Sequence, residues 1–252
     1  GLKTDSMIEL IRCGAVTNAA KPLHRGKTVA TLSYGSQDMY DYIHENDDIE
    51  FLPVDYTNDP AVIAQHPKFM SVNGALAVDF YGQVCAESLG TKHVSGTGGQ
   101  SDYVRGAVAS KGGKSFICLS STYKKKDGSL ASRIRPTLAE GSIVTDTRTN
   151  VMYVATEYGC VNLKGLSVWE RAEALISIAH PDFREELIRE AERMKIWMEL
   201  FNYGTLPFYL GQYEPTEGNP QWESRMAAAT YMKEHGIKAK GHPLCWHTAW
   251  AD

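Results

Sequence analysis

The sequence predicts an α/β fold: an open, mostly parallel sheet flanked by helices, followed by a separate β-α-β unit. Three observations predict it. Strand-like and helix-like stretches alternate, punctuated by glycines, through the first 197 residues, as in layered α/β domains. The run Lys114–Ser121 is continuously apolar in character, which suits a strand buried inside a mostly parallel sheet. Near Trp197 the pattern stops and a different one begins with no flexible linker, so the chain reads as two pieces, 1–197 and 198–252.

The elements follow in order. Asp5 and Ser6 can cap a short helix through Ile11, with Gly14 just past its end. Thr28–Tyr34 reads as a strand, and Ser36–Glu45 as a helix with Met39, Tyr40 and Ile43 on one face. Ile49–Val54 is a short strand. Asn58-Asp59-Pro60 starts a helix, because proline is tolerated in a first turn. Phe69–Asn73 and Ala75–Phe80 are strand-like, with Gly74 as a bend or bulge between them. The loop Ser95-Gly96-Thr97-Gly98-Gly99-Gln100 precedes a helix over Asp102–Ser110, and Lys124–Ser129 is a polar turn. Ser142–Thr147 and Val151–Thr156 read as a hairpin around Arg148-Thr149-Asn150. Ser167 and Glu170 have capping-box spacing before Ala172–Ile178, and Pro181 opens a last helix over Asp182–Ile196. Its Glu185, Glu186, Arg189, Glu190 and Arg193 form a solvated face. In the second piece, Thr205–Leu210 is strand-like, Tyr213–Pro220 a turn region, Gln221–His235 a helix, and Ile237–His247 a strand. A β-α-β unit of that size is too small to bury a core alone.

The chain's 252 residues suffice for one large or two small domains. A net charge of −4 gives no basic footprint, which argues against a nucleic-acid partner. The five cysteines, at 13, 85, 118, 160 and 245, are scattered without a C-x-x-C pair. Such a set suits a reducing compartment, and the expected location is the cytoplasm. No stretch approaches the ~20 apolar residues of a membrane span. A start without Met suggests a trimmed or fragmentary chain.

The glycine loop is the strongest chemical feature. Glycines allow positive φ and close approach of backbone to a ligand. Free amides at the following helix start can bind an anion or a developing oxyanion. Alone, such a loop is as often a plain tight turn. Lys124, Lys125 and Lys126 could meet phosphates, but a basic turn is usually just solvated. His93 and His180 have no visible partner, and a structural role is the commoner one. Glu157 in Thr156-Glu157-Tyr158-Gly159 reads as a hydrogen-bonded structural carboxylate, with a second active-site carboxylate as the alternative. Cys85 and Cys118 sit in apolar runs and read as core residues.

The words around the loop are more specific. Pro53–Pro60 (PVDYTNDP), Met70–Asn73, Gly82–Ser88 (GQVCAES), Ser95–Gly106 (SGTGGQSDYVRG), Ser110–Lys114, Ala131–Ile134, Val154–Gly159 and Ala179–Glu185 occur in order. Over nearly all of 1–197 the chain resembles the C-terminal domain of the acetyl-CoA hydrolase/transferase family, which includes the 4-hydroxybutyrate CoA-transferases. The resemblance implies a CoA-transferase-like sheet and transfer of coenzyme A between an acyl-CoA and a small carboxylate, with no metal. It implies a glutamate nucleophile that passes through an anhydride to a glutamyl-CoA thioester, which is covalent carboxylate catalysis. Gly96, Gly98, Gly99 and Gln100, with Ser121 and Thr122 at a strand end, are the expected contacts for CoA and its oxyanions. Relatives carry the nucleophile in a Gly-x-His-Thr-Glu stretch, where this chain reads Gly1-Leu2-Lys3-Thr4-Asp5-Ser6. Either that stretch is deleted, the favoured reading, or Asp5 stands in its place on a shorter arm. With the nucleophile's stretch missing the chain is expected to show no turnover, and the family's upstream Gly-rich loop and N-terminal domain have no counterpart in this sequence. A non-catalytic CoA-binding domain is the alternative. The oligomeric state is left open.

The tail carries Phe201–Tyr209 (FNYGTLPFY), Tyr213-Glu214-Pro215 and Gly236–His247 (GIKAKGHPLCWH). These resemble a family 10 glycoside hydrolase, a xylanase-like (β/α)8 barrel. The resemblance implies that His242 and Trp246 line a sugar subsite, by hydrogen bonding and stacking. Both carboxylates that a retaining glycosidase needs would lie beyond Asp252. The tail therefore reads as a barrel fragment without activity, and a xylan-degrading fragment is the runner-up reading for the chain. A natural, an engineered and an artefactual join all give this pattern.

Overall fold

The structure, a computed structural model, describes residues 2–200, 203–206, 230 and 238–241. The chain divides into two compact units, Gly1–Ala191 and Glu192–Asp252.

At the centre of the first unit is a four-stranded sheet. Met70–Gly74, Lys114–Cys118 and Tyr153–Thr156 run parallel, with Phe116 opposite both Val72 and Tyr153. Gly159–Asn162 adds an antiparallel edge, pairing Thr156 with Gly159. The helix Gln100–Ala109 supplies the crossover to Lys114–Cys118 and packs on that strand and its neighbour. Ser71, Ser115, Ile117 and Val154 are buried. Alternate positions on the opposite face are open: Met70 and Val72 are more than half exposed, and Cys118 is exposed too. The expected continuous burial of Lys114–Ser121 is thus halved. The strand ends at Cys118 and alternates in burial, because among the described residues one face of the sheet is covered and the other is not. Cys118 is a surface thiol rather than the core residue expected, whereas Cys85 is buried.

A second, three-stranded sheet joins Ile134–Arg135 in parallel to Ala77–Asp79, and that strand antiparallel to Val84–Cys85. Shorter pairs complete the unit: Thr28–Ala30 with Ile49–Phe51, Leu2–Lys3 with Leu32–Ser33, Ser88–Leu89 with Lys92–His93, and Thr122–Lys124 with Leu130–Ser132. The core includes Ile8, Met39, Phe80, Val84, Val104, Ile117, Ile134, Val154, Leu163 and Leu175. Fully burying each such side chain contributes about 1.5–3 kcal/mol before the entropy of ordering is subtracted.

Helix ends follow their sequence signals closely. Ser36 caps Gln37–Ile43 by accepting from the Met39 N–H, and Asp59 caps Pro60–Ala64 by accepting from Ala61. The Ser167–Glu170 capping box forms ahead of Val168–Ser177, and Pro181 opens the helix to Leu200.

Four further expectations change. The first helix spans Asp5–Arg12 with Thr4 at its cap, and Asp5 does not cap it. Instead the Asp5 carboxylate accepts from the Ser36 N–H at 3.0 Å and the Ser36 hydroxyl at 2.6 Å. Thr28–Tyr34 is broken into two short strands, Thr28–Ala30 and Leu32–Ser33. Tyr40 is exposed, leaving Met39 as the buried contact of its helix. The hairpin expected around Arg148–Asn150 does not form. Asp146 bridges to Val84 instead, and Tyr153–Thr156 turns back through Glu157-Tyr158 onto Gly159–Asn162. β-propensity marks strands but does not choose partners, and a two-residue connection is the shorter closure.

In the second unit, Tyr203–Leu206 pairs in parallel with Lys238–Gly241, Tyr203 lying opposite Lys238. The expected turn at Tyr213–Pro220, almost all of the helix Gln221–His235, and the strand beyond Gly241 lie outside the described residues, as do His242 and Trp246.

Candidate functional site

Topology gathers the chemistry at one edge of the central sheet. The parallel strands end at Gly74, Cys118 and Thr156. At the opposite edge, Ser110, just past the helix Gln100–Ala109, donates its hydroxyl to His66 and accepts from the Phe69 N–H. The helix therefore runs back from the carboxyl edge, and its start lies there beside the strand ends. Open α/β sheets bind ligands outside the carboxyl ends of their strands.

The glycine loop stands at that helix start. Residues 91–98 are exposed. Gly98 has φ +57, a left-handed conformation that favours glycine, and a Cβ on Gly96 or Gly98 would meet no atom within 4 Å. Gly99 is the helix cap and makes no side-chain cap hydrogen bond, so the first helical amides are not closed off by a capping side chain. Gly99 is also tightly packed: a Cβ there would overlap the Asn58 side chain. Of the Asn58-Asp59-Pro60 word, Asn58 is the residue that meets the loop there. The Tyr103 hydroxyl donates to the Thr57 carbonyl at 3.0 Å, tying helix to that segment.

Gln100 does not face outward. Its Nε2 donates to Asp146 Oδ2 at 2.8 Å. Asp146 is fully buried, and burial pushes its carboxyl above the usual range, with the Gln100 and Ser101 side chains opposing and Glu87 adding like charge.

At the strand end, Ser121 is completely buried. Its N–H and hydroxyl donate to the two oxygens of Glu157 at 2.9 and 2.6 Å, and its carbonyl accepts from the Arg133 N–H. Ser121 therefore holds Glu157, with its N–H, hydroxyl proton and carbonyl all engaged within the chain. The Ser121 hydroxyl lowers the Glu157 carboxyl, with burial opposing and the Ser121 amide adding to the lowering. Glu157 is exposed, as is Ser120. The Thr122 carbonyl accepts from the Ser120 hydroxyl and from Arg133 Nε.

The other candidates lie as follows. The Asp5 carboxyl is lowered by the Ser36 hydroxyl and amide that bind it. Lys124, Lys125 and Lys126 are exposed on a hairpin, and His93 is exposed on another. His180 packs edge-on against Tyr158 and Phe183 and accepts from the Asp182 N–H. Sequence reasoning missed the Glu87–Asp146 cluster behind the loop. Its one sequence signal is the Gly82–Ser88 word, which gives no hint of burial.

A family model for the acetyl-CoA hydrolase/transferase C-terminal domain matches residues 35–191. The chain belongs to that family. It is 51% identical over 193 residues to the butyryl-CoA:acetate CoA-transferase of Anaerostipes caccae, covering 77% of this chain and 43% of that one. It is 46% identical over 190 residues to the 4-hydroxybutyrate coenzyme A transferase of Clostridium kluyveri, covering 75% and 44%. Among solved structures, RipA from Yersinia pestis superposes with a TM-score of 0.71 at 44% identity, covering 77% of this chain and 43% of that one. The chain spans under half the length of these relatives.

Proposed function

We propose that residues 1–197 form the C-terminal domain of an acyl-CoA:carboxylate CoA-transferase, working in the cytoplasm on an acyl-CoA and a small aliphatic carboxylate. The names of the relatives, which act on butyryl-CoA with acetate or on 4-hydroxybutyrate, support that substrate class. The observation that carries the reading is the exposed glycine loop at an uncapped helix start, on the carboxyl edge of a parallel sheet.

In this reading the loop amides at Gly96, Gly98 and Gly99 meet the thioester carbonyl and stabilise the oxyanion that develops on it. Gln100 sets the loop through Asp146. Thr122 lies at the rim, and Ser121 acts by fixing Glu157 rather than by touching CoA. Glu157 is held ionised, suited to orienting a polar group and unsuited to giving up a proton. Asp5 is spent on Ser36, and we assign it a structural role. The stretch thus binds CoA without turning it over, and weakly, since a cleft built from part of a site lacks pre-organisation. Residues 198–252 have no part in this reading.

Titration calorimetry with CoA on the wild type and on Gly99→Val tests it. We expect weak binding by the wild type and none by the variant, whose new Cβ collides with Asn58. Equal binding by both would remove the loop from the site. Incubation with acetyl-CoA and butyrate, followed by mass spectrometry, is expected to give no butyryl-CoA and no thioester adduct. An adduct on Asp5 would reverse its assignment.

A further inference from the structure

Three side chains outside the site form a hydrogen-bonded chain. His24 lies between Glu50 and Tyr56: its Nδ1 is 2.6 Å from Glu50 Oε2, and its Nε2 is 2.9 Å from the Tyr56 hydroxyl. The rings of His24 and Tyr56 meet edge to face, with centroids 5.6 Å apart. A carboxylate only accepts, so Nδ1 donates to Glu50. Nε2 is left for the phenol, to accept its proton or, in a charged ring, to donate to its oxygen. Both bonds stand in either case.

The three residues come from three segments. His24 is in the turn before Thr28–Ala30, Glu50 is in the strand Ile49–Phe51 that pairs with it, and Tyr56 is in the short helix Val54–Thr57. Lys21 Nζ donates to the Lys27 carbonyl at 2.7 Å, and the Lys27 N–H donates to the His24 carbonyl, closing the first turn. His24 has φ +48, a left-handed conformation that costs a non-glycine residue energy. Such strain persists only where the surroundings over-determine it, and the two side-chain bonds do so here.

Tyr56 leads from this chain to the glycine loop. Thr57, next to it, is buried, and its carbonyl accepts from the Tyr103 hydroxyl. The Asn58 side chain occupies the space where a Cβ on Gly99 would stand. The Tyr56 and Thr57 N–H groups donate to the Pro53 carbonyl and the Asn58 N–H to Val54, so 53–58 is one closed turn.

We propose that Glu50, His24 and Tyr56 act together as positioning residues: they set the 53–58 turn and, through Asn58 on Gly99, the glycine loop. The CoA arm of the test rests on the reading of that loop as a CoA site; the ligand-free arm does not.

Amide NMR of the full chain tests the proposal, first without ligand. Tyr56→Phe keeps the ring and removes the hydroxyl. It is expected to shift the amides of Gly98, Gly99 and Gln100. It should also lower the hydrogen-exchange protection of Tyr103, whose N–H is bonded to the Gly99 carbonyl, while Phe116 and Ile117 in the central strand keep theirs. His24→Asn tolerates the left-handed backbone and keeps a donor toward Glu50. It isolates the Tyr56 link and should reproduce the Tyr56→Phe shifts, and the double variant should add nothing to either. Glu50→Gln retains an acceptor and is expected to keep the wild-type pattern that Glu50→Ala loses. In the CoA arm, Tyr56→Phe should weaken binding about fivefold, the size of one lost hydrogen bond. Were the wild type to bind no CoA, the CoA reading would fail and the ligand-free arm would still decide. Shifts confined to residues 24, 50 and 54–57, or equal effects of Glu50→Gln and Glu50→Ala, would overturn the proposal. Were His24→Asn to unfold, Tyr56→Phe and the Glu50 pair would settle it.

Discussion

Glu157 and Asp146 each accept hydrogen bonds from residues at the carboxyl edge of one sheet, yet they are built in opposite ways. Glu157 is exposed, both its oxygens accept from Ser121, and its carboxyl is lowered. Asp146 is buried, one oxygen accepts from Gln100, the other has no partner among the described residues, and its carboxyl is raised. Residue type does not distinguish these sites; solvation and the count of donors do. One carboxylate is a fixed charge at the rim. The other is a buried support whose ionised form is opposed first of all by burial.

The difference also has opposite pH signatures. A lowered carboxyl contributes stability that is present above its unfolded pKa and lost as pH falls through the folded one. A raised carboxyl works the other way: its stability is intact at low pH and lost as pH rises from the ordinary carboxylate range through the folded pKa.

The largest predicted effect strikes the scaffold that both sites share. Ile117→Ala empties a buried position in the central strand and should cost about 2–5 kcal/mol in urea unfolding. Both carboxylate sites should loosen together, and selective loss of one would break the idea of a common edge. Ser121→Ala comes next, at about 1–2 kcal/mol near neutral pH, because a buried hydroxyl bonded to a carboxylate is lost. Its cost should shrink on acidification, when Glu157 is protonated in either protein; a constant cost from about pH 3 to 8 would count against that account.

Asp146→Asn is predicted to run opposite in sign. At about pH 8 it should stabilise the protein by about 1 kcal/mol, since an unsatisfied buried charge disappears while Gln100 keeps its acceptor. The gain should shrink toward about pH 4, as the wild-type carboxyl takes up its proton. Destabilisation at both pH values would show that the charge is needed. The smallest effect is Gly98→Ala, where the added methyl touches nothing but φ is +57. We expect a loss of about 1 kcal/mol in thermal unfolding, from backbone strain alone.

Much of this was legible in the chain itself. Pro60, the Ser167–Glu170 box and Pro181 marked helix starts because capping is a local matter. The glycine loop was legible because positive φ and close approach demand glycine. What stayed hidden was tertiary. Ser121 and Glu157 lie 36 positions apart, and Gln100 and Asp146 lie 46 apart. Nothing local tells a rim carboxylate from a buried one. The Arg148–Asn150 turn misled for the same reason: Ser142–Thr147 has strand-like residues, but its partner is Val84.

The central claim is that the loop and the rim at Glu157 make one CoA-binding edge. Backbone amide NMR during titration with CoA tests it most directly. The account predicts shifts at Gly96, Gly98, Gly99 and Gln100, with smaller ones at Ser120 and Glu157, and an unmoved Lys124–Lys126 hairpin. Shifts confined to that hairpin, or none at the loop at saturating CoA, would contradict it.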